Sequence, residues 1–309
     1  MKKILLSLLA LLTVSTFTAH ADMTFRDHAG ASFTIKTPLT RIVVLNSSNL
    51  EMFLAAGGKP LAYAASSTTP EYVAKQLAGI PSVGQVQNPD IERIVALQPE
   101  LVIGMNFPFH VSMVQTLKGA GIKTALFSPT TPEDVTKVIR LYGELTGNRT
   151  KAETSARAIE HSMDRVKKRT ASIKKKKVLV LFGSPESYSM VMPNSYTGMM
   201  LSAAGGRNIT EGIKQTDEKN KMSAGFLPLN LEYVTAGDPD IIMLINHSNK
   251  ETAAAGSVLS SSPAWSALRA VKNGKVYNLK FETYGINPTV RTGEAVAELS
   301  QMIYPELYK

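Results

Sequence analysis

The chain has 309 residues, 44% of them hydrophobic, with 34 Lys and Arg against 25 Asp and Glu and no cysteine. That composition supports ordinary apolar cores, and it excludes a disulfide framework, thiolate chemistry and a lipid carried on an N-terminal cysteine. The length suggests about two domains, and a net charge of +9 favours anionic partners.

Lys2 and Lys3 open the chain, Ile4 to Phe17 is apolar apart from Ser and Thr, and Ala19-His20-Ala21 has the small-x-small form of a cleavage site. Together they predict a signal peptide over 1–21, too short in its apolar part to anchor the mature protein in a bilayer. The mature chain is then expected to be exported, unlipidated and periplasmic. Export argues against a nucleic-acid partner, and no later segment predicts stable membrane insertion.

From Arg41 onward short apolar runs alternate with helical patterns. "RIVVLN" (41–46) predicts a buried strand, and "SSNLEMFLAAGG" (47–58) a helix opened by Ser and closed by Gly. "LAYAA" (61–65), "LVIG" (101–104) and "KTALF" (123–127) predict further strands, with helices in "PEYVAKQLAG", "DIERIVALQ" and "HVSMVQTLKGAG" between them. This rhythm predicts a parallel sheet covered by helices on both faces. Pro132 to Gly147 then reads as one helix, and Arg149 to about Ser172 as another without Gly or Pro. At 1.5 Å per residue the second is ~36 Å long and reads as a strut between two lobes. "IKKKK" (173–177) closes it with cations, which suit a helix C-terminus. Strands resume at "KVLVLFG" (177–183).

The second half repeats the first. Ile91 to Gly104 aligns without a gap on Leu231 to Leu244, each reading helix, turn with Pro, strand. Met52-Phe-Leu-Ala-Ala-Gly-Gly58 is echoed by Met200-Leu-Ser-Ala-Ala-Gly-Gly206. Two echoes in the same order imply two related lobes. The expected fold is α/β: two Rossmann-like lobes with parallel sheets (22–147 and 175–309), joined by one long rigid α-helix (148–174), with a ligand cleft between them. In open α/β sheets ligands sit outside the carboxyl ends of the strands.

Familiar catalytic signatures are absent. There is no Gly-x-Ser-x-Gly elbow, no Gly-rich dinucleotide or phosphate loop and no His-Glu-x-x-His. His28, His110, His161 and His247 are scattered, without metal-ligand spacing. An enzyme is therefore not expected. The repeat does supply a matched acid pair. Glu92 and Glu232 occupy the same column, each near a helix start. The helix dipole accounts for an acid at each place, but not for the shared column. A pair of surface anions, one per lobe, suits a two-fold partner carrying arginines.

"RIVVLN" leading to "LAAGG", then "VGQVQNPDIERIVALQPELVIG", "SAAGGRNI" and "WSALRAVKNGKVYNL" span the mature chain. With these motifs it resembles the substrate-binding proteins of bacterial ABC importers for iron-siderophores, heme and cobalamin. The resemblance implies two lobes on a rigid helical strut, a dimeric permease with its ATPase as partner, and one Glu per lobe docking on permease arginines. Those positions fall on Glu92 and Glu232. "GSPESYSMVMPNSYTGMMLSAAGG", "PDIIMLINHSNKE" and "YGINPTVRTGEAV" are most similar to the heme-binding proteins of the iron-regulated surface determinant system. There a His after the corresponding strand is an axial ligand of heme iron, and it matches His247. The second ligand is a Met, where this chain has Gln87.

The loops after "RIVVL", "LVIG", "VLVLF" and "IIMLI" bring Asn46, Asn106, His110, Tyr188 and His247 to the cleft by the strand-end rule, with Tyr196 nearby. His110 and His247, from opposite lobes, could grip one iron from both faces. Tyr188 or Tyr196 could instead offer oxygen to ferric iron. Arg291 could meet a propionate or a siderophore carboxylate. Phe107, Phe109, Met190 and Met192 could pack on a flat macrocycle or fill the core, whereas Trp265, Arg41 and Arg207 read as structural. The expected function is that of a monomeric binding protein without an intrinsic cofactor. It would capture an iron chelate, heme before siderophore, for an ABC importer. Cobalamin or another organic cofactor as the cargo, and an enzyme or chaperone on the same scaffold, are the alternatives.

Overall fold

The computed structural model describes residues 21–67, 69–184, 187–213, 225–246, 263–285 and 288–309. Residues 1–20 of the predicted signal peptide and His247 lie outside the described residues, and Ala21 is the first residue of β1.

The first elements are ones the strand–helix rhythm does not announce. β1 (Ala21–Arg26) and β2 (Ser32–Thr37) pair antiparallel, with Met23 opposite Ile35 and Phe25 opposite Phe33. Alternation turns Phe25 and Ile35 inward. The hairpin is held to the body by Asp27, only 6% exposed, whose carboxylate accepts from the backbone N–H of Ala29, Ala31 and Leu126 at 2.8–3.0 Å.

The first lobe is built on β3 (Ile42–Val44), α1 (Ser47–Ala55), β4 (Ala62–Ala65), α2 (Glu71–Gln76), β5 (Ser82–Gln85), β6 (Asn88–Pro89), α3 (Ile91–Ala96), β7 (Leu101–Gly104), α4 (Pro108–Val111), α5 (Met113–Gly119), β8 (Thr124–Leu126) and α6 (Pro132–Thr146). Its strand order is β6-β5-β4-β3-β7-β8. Ile42 and Val44 face one core and Val43 and Leu45 another, which is why the run is apolar throughout. The sheet is not wholly parallel as expected. β5 and β6 pair antiparallel, because the connection through Val86 and Gln87 is too short for a crossover.

The second lobe contains β9 (Lys177–Gly183), β10 (Ser189–Val191), α8 (Tyr196–Ala203), β11 (Arg207–Asn208), β12 (Phe226–Pro228), α9 (Leu231–Gly237), β13 (Ile241–Asn246), β14 (Val276–Leu279) and a last long helix, Thr292–Ile303. Its order is β12-β10-β9-β13-β14, with β11 also on β9. β10 runs antiparallel to both neighbours, a second departure from a parallel sheet. The echoes in the sequence are realised atom by atom. Asp90 and Asn230 each accept from the backbone N–H three residues on, capping α3 and α9 identically. α1 and α8 both stop at a left-handed glycine, Gly57 and Gly205, each at φ 86°.

α7 (Arg149–Thr170) joins the lobes, two residues shorter than the sequence pattern suggests and ~33 Å long. It does not stand alone, because α6 and the last helix pack along it. Its buried stripe is Ala152, Ala156, Ile159 and Val166, and the small residues let α6 approach closely. A Cβ at Gly143 would lie 2.3 Å from the Ala152 side chain. Arg140 of α6 bridges to Glu153 and Glu160 of α7, both at 2.7 Å. Two serines on one face of the strut, about two turns apart, register the lobes. Ser155 donates to the Ala55 carbonyl of the first at 2.7 Å, and Ser162 to the Gly293 carbonyl of the second at 2.9 Å.

Candidate functional site

The residues at the strand ends divide into those committed to structure and those free to meet a ligand. Asn46 stands at the N-cap position of α1 without a side-chain capping bond and is only 5% exposed. Its Oδ1 accepts from Asn49 Nδ2 at 2.7 Å, and Asn49 Nδ2 also donates to the Gly104 and Phe127 carbonyls. Tyr142 closes the knot by donating to Asn49 Oδ1 at 2.9 Å. The Asn46 amide oxygen therefore helps tie α1 to the ends of β7 and β8. Asn106 and Gln87 are exposed, Asn106 after β7 and Gln87 in the β5–β6 turn.

His110 departs from its expected place. It is fully buried, and its Nδ1 accepts from the Met105 N–H at 3.1 Å. That bond leaves the proton on Nε2, which has no partner within hydrogen-bond geometry among the described residues. Burial lowers its pKa to about 4, with the Val86 carbonyl opposing. The reason is local: α4 starts at Pro108 and folds the imidazole back under β7. In this conformation His110 cannot meet an iron held in the cleft.

In the second lobe Tyr188 donates to Asn246 Oδ1 at 3.0 Å, at the carboxyl end of β13. His247 is the next residue in the chain and is not among those described. Met190 and Met192 are buried, and Trp265 is 8% exposed, so all three serve packing. Arg41 donates to the Leu97 and Gln98 carbonyls and Arg207 pairs with Glu211, as structural residues do. Glu92 and Glu232 are both exposed in the first turns of their helices.

Tyr196 and Arg291 are brought together where the lobes meet. Tyr196 Oη lies 2.5 Å from Thr292 Oγ1, and burial pushes its pKa up to about 12, with the Thr292 hydrogen bond opposing. Arg291 donates to Glu294 and Thr283, each at 3.3 Å. Val290, beside it, packs into the hydrophobic core of the first lobe. A cavity of about 260 Å³ opens there, lined by Glu51, Tyr72 and Gln76 of the first lobe, Lys151 and Ser155 of α7, and Val290.

Glu51 is the member that the sequence did not single out. It is 4% exposed, and its Oε2 accepts from the Tyr72 hydroxyl at 2.6 Å. Burial raises its pKa to about 7; the Tyr72 hydrogen bond and the Arg291 charge pull the other way, and Glu282 adds to the rise. The folded state thus holds this proton more tightly than the unfolded chain. Stability from this group is fully present below about pH 4.5 and falls as pH rises to about 7. At about 1.4 kcal/mol per unit, the loss is on the order of 3 kcal/mol. Glu51→Gln is expected to melt with the wild type at pH 4 and well above it at pH 8, as read by calorimetry. Equal melting temperatures at pH 8 would reject the assignment.

Among the described residues no group of three or more His, Asp or Glu could hold a metal ion. Nor is any described helix long and apolar enough to cross a membrane.

A sequence model of the periplasmic binding protein family matches residues 42–283. The chain is 25% identical over 272 residues to the high-affinity heme uptake system protein IsdE of Staphylococcus aureus, covering 87% of each chain. The crystal structure of an ABC transporter substrate-binding protein from Listeria monocytogenes is similar with a TM-score of 0.70 at 25% identity, covering 86% of this chain and 99% of that one. S. aureus IsdE complexed with heme superposes with a TM-score of 0.68 at 23% identity, over 86% and 99%.

Proposed function

Because the chain belongs to the periplasmic binding protein family, we propose that it captures an iron chelate, heme before a ferric siderophore, and delivers it to the permease of an ABC importer. Recognition rather than turnover is the work of this family. The reading is carried by the joint between the lobes. Glu51 and Tyr72 of the first lobe, Lys151 and Ser155 of the strut and Val290 of the second lobe line one cavity. Likeness to a heme uptake protein along 87% of each chain supports heme as the cargo. His247 is the proposed axial ligand, with Arg291 for an anionic group of the chelate. Tyr188, Tyr196, Asn106 and Gln87 are the proposed flanking contacts. Glu92 and Glu232 are the proposed permease contacts. Removal of residues 1–21 on export to the periplasm belongs to the same proposal.

Titration of the purified protein with hemin is expected to give a saturable Soret band and a higher melting temperature. His247→Ala should weaken binding by tenfold or more, since an axial bond is lost. Hemin that leaves spectrum and melting unchanged rules heme out. Stabilisation by a ferric siderophore or by cyanocobalamin instead would identify the cargo as that class.

A further inference from the structure

The end of the strut that meets the second lobe carries charge that neither the fold nor the cleft uses. Residues 165–177 hold eight cations and no acid. Three are committed. Arg169 lies over the Tyr308 ring at 4.5 Å, Lys176 pairs with Glu306 at 3.0 Å, and Lys177 donates to the Gly237 carbonyl at 2.9 Å. The other five, Arg165, Lys167, Lys168, Lys174 and Lys175, are exposed and form no ion pair or side-chain hydrogen bond among the described residues. Asp164, one turn ahead of Lys168, is exposed and pairs with none of them. Asp238 and Asp240, before β13, are both taken by Arg269. The helix dipole favours cations only within the last turn. Lys174 and Lys175 stand past Thr170, where α7 ends, so the dipole does not account for them. Crowded like charges cost the fold self-repulsion. Lys177 opens β9 and reaches the last residue of α9, so these cations gather at the amino ends of the strands. Lys275, just before β14, adds an exposed cation at the same edge. Ligands sit at the opposite, carboxyl ends, and the first turn of α9, with Glu232, lies at that far end too.

We propose that this basic pole is a contact surface for a bilayer containing anionic phospholipid, which holds the protein at the membrane by charge without insertion. Four of the five free cations are Lys. A Lys ammonium is a hydrated point charge on a flexible stem, without the fork by which Arg pairs a single carboxylate. Protein interfaces are depleted in Lys and enriched in Arg, which disfavours an acidic protein as the partner. The five are spread over the last turns of α7 and the chain beyond it, an array that suits many headgroups at once. The bulky apolar residues of the segment, Val166 and Ile173, pack into the second lobe, so the contact is one of charge alone. Each basic side chain near an anionic surface strengthens binding about fivefold, and salt screens the attraction.

Sedimentation of the purified protein with phosphatidylcholine vesicles, with and without about a third of phosphatidylglycerol, tests this. The protein is expected to pellet only with the anionic vesicles and to be released at about 0.5 M salt. Lys167→Gln, Lys174→Gln and Lys175→Gln combined should weaken this binding about a hundredfold and leave the melting temperature unchanged. The control combines Lys36→Gln, Lys59→Gln and Lys118→Gln, three exposed lysines of the first lobe, and removes the same net charge. It should stay within about threefold of wild type. Wild type that does not pellet overturns the proposal. Equal losses in the two triple variants overturn it as well, because net charge and not the pole would then be responsible. Wild type that ignores the vesicles but binds polyglutamate through the three pole lysines assigns the surface to an acidic protein and overturns the lipid contact. No cargo is present in these measurements, so their outcome stands whichever ligand the cleft holds.

Discussion

Glu92→Lys combined with Glu232→Lys is expected to abolish delivery of the ligand while leaving its capture within about twofold of wild type. Both acids are exposed, in the first turn of a short helix with the same side-chain cap, and neither forms an ion pair among the described residues. Their removal therefore costs the fold almost nothing. A permease that reads one carboxylate per lobe loses a charge-assisted contact at each and gains a like-charge repulsion. At about 2 kcal/mol or more per site, the two together weaken docking roughly a thousandfold. Uptake of labelled ligand by cells, or by vesicles holding the permease and ATPase, measures this directly. Each single reversal should give an intermediate defect. A double variant that fails to bind ligand in solution would remove both residues from the docking surface and return them to the fold.

The largest loss of stability is expected from Asn49→Ala. The side chain is fully buried and joins Asn46, the Gly104 carbonyl, the Phe127 carbonyl and the Tyr142 hydroxyl. Truncation leaves those groups without water or a replacement partner, at about 1–3 kcal/mol for each one left unmet. Relaxation will satisfy some of them, so a loss of about 4 kcal/mol is expected in urea unfolding. That is a large part of the 5–15 kcal/mol typical of a folded domain. Tyr142→Phe removes one bond of the set and should cost about 1 kcal/mol. If Asn49→Ala is no worse than Tyr142→Phe, the knot is not what fixes α1 to the sheet.

Neither Asn49 nor Glu51 is conspicuous in "SSNLEMFLAAGG", and the reason is physical. α1 is buried on nearly every side, from Ser48 to Phe53, so its polar residues carry no periodic signal. Their partners lie at Gly104, Phe127 and Tyr142 for Asn49 and at Tyr72 for Glu51, and nothing local encodes those contacts. His110 lies buried for a related reason. A histidine just after a strand has the address of a ligand contact, and only the short helix at Pro108 turns it inward. The hairpin at Asp22–Thr37 did carry alternation, in Met23 with Phe25 and Phe33 with Ile35. It stands before the strand–helix rhythm begins and forms a two-stranded sheet of its own. What was legible is what repeats or persists. The strut is 22 residues without Gly or Pro. The shared column of Glu92 and Glu232 follows from a gapless echo, with Asp90 and Asn230 ahead of them each accepting the N–H three residues on. The two-glycine ends of α1 and α8 follow from the other echo.

The strut also sets an order of assembly. Among the described residues all strands of the first sheet come from residues 42–126 and all those of the second from 177–279, so there the chain passes from one sheet to the other once. During synthesis the first sheet can close before any strand of the second has emerged, and none of its pairings has to wait for distant chain. α7 is different. Its first half finds α6 at once, but the groove beside Ser162 stays open until Gly293 and the helix behind it arrive near the chain's end. The segment that fastens the strut to the second lobe is thus made well after the groove that receives it. A chain cut short before Thr292 would keep the first sheet, but would lose the strut's second fastening and the core residues Ala295, Val296, Leu299 and Ile303 under the second sheet.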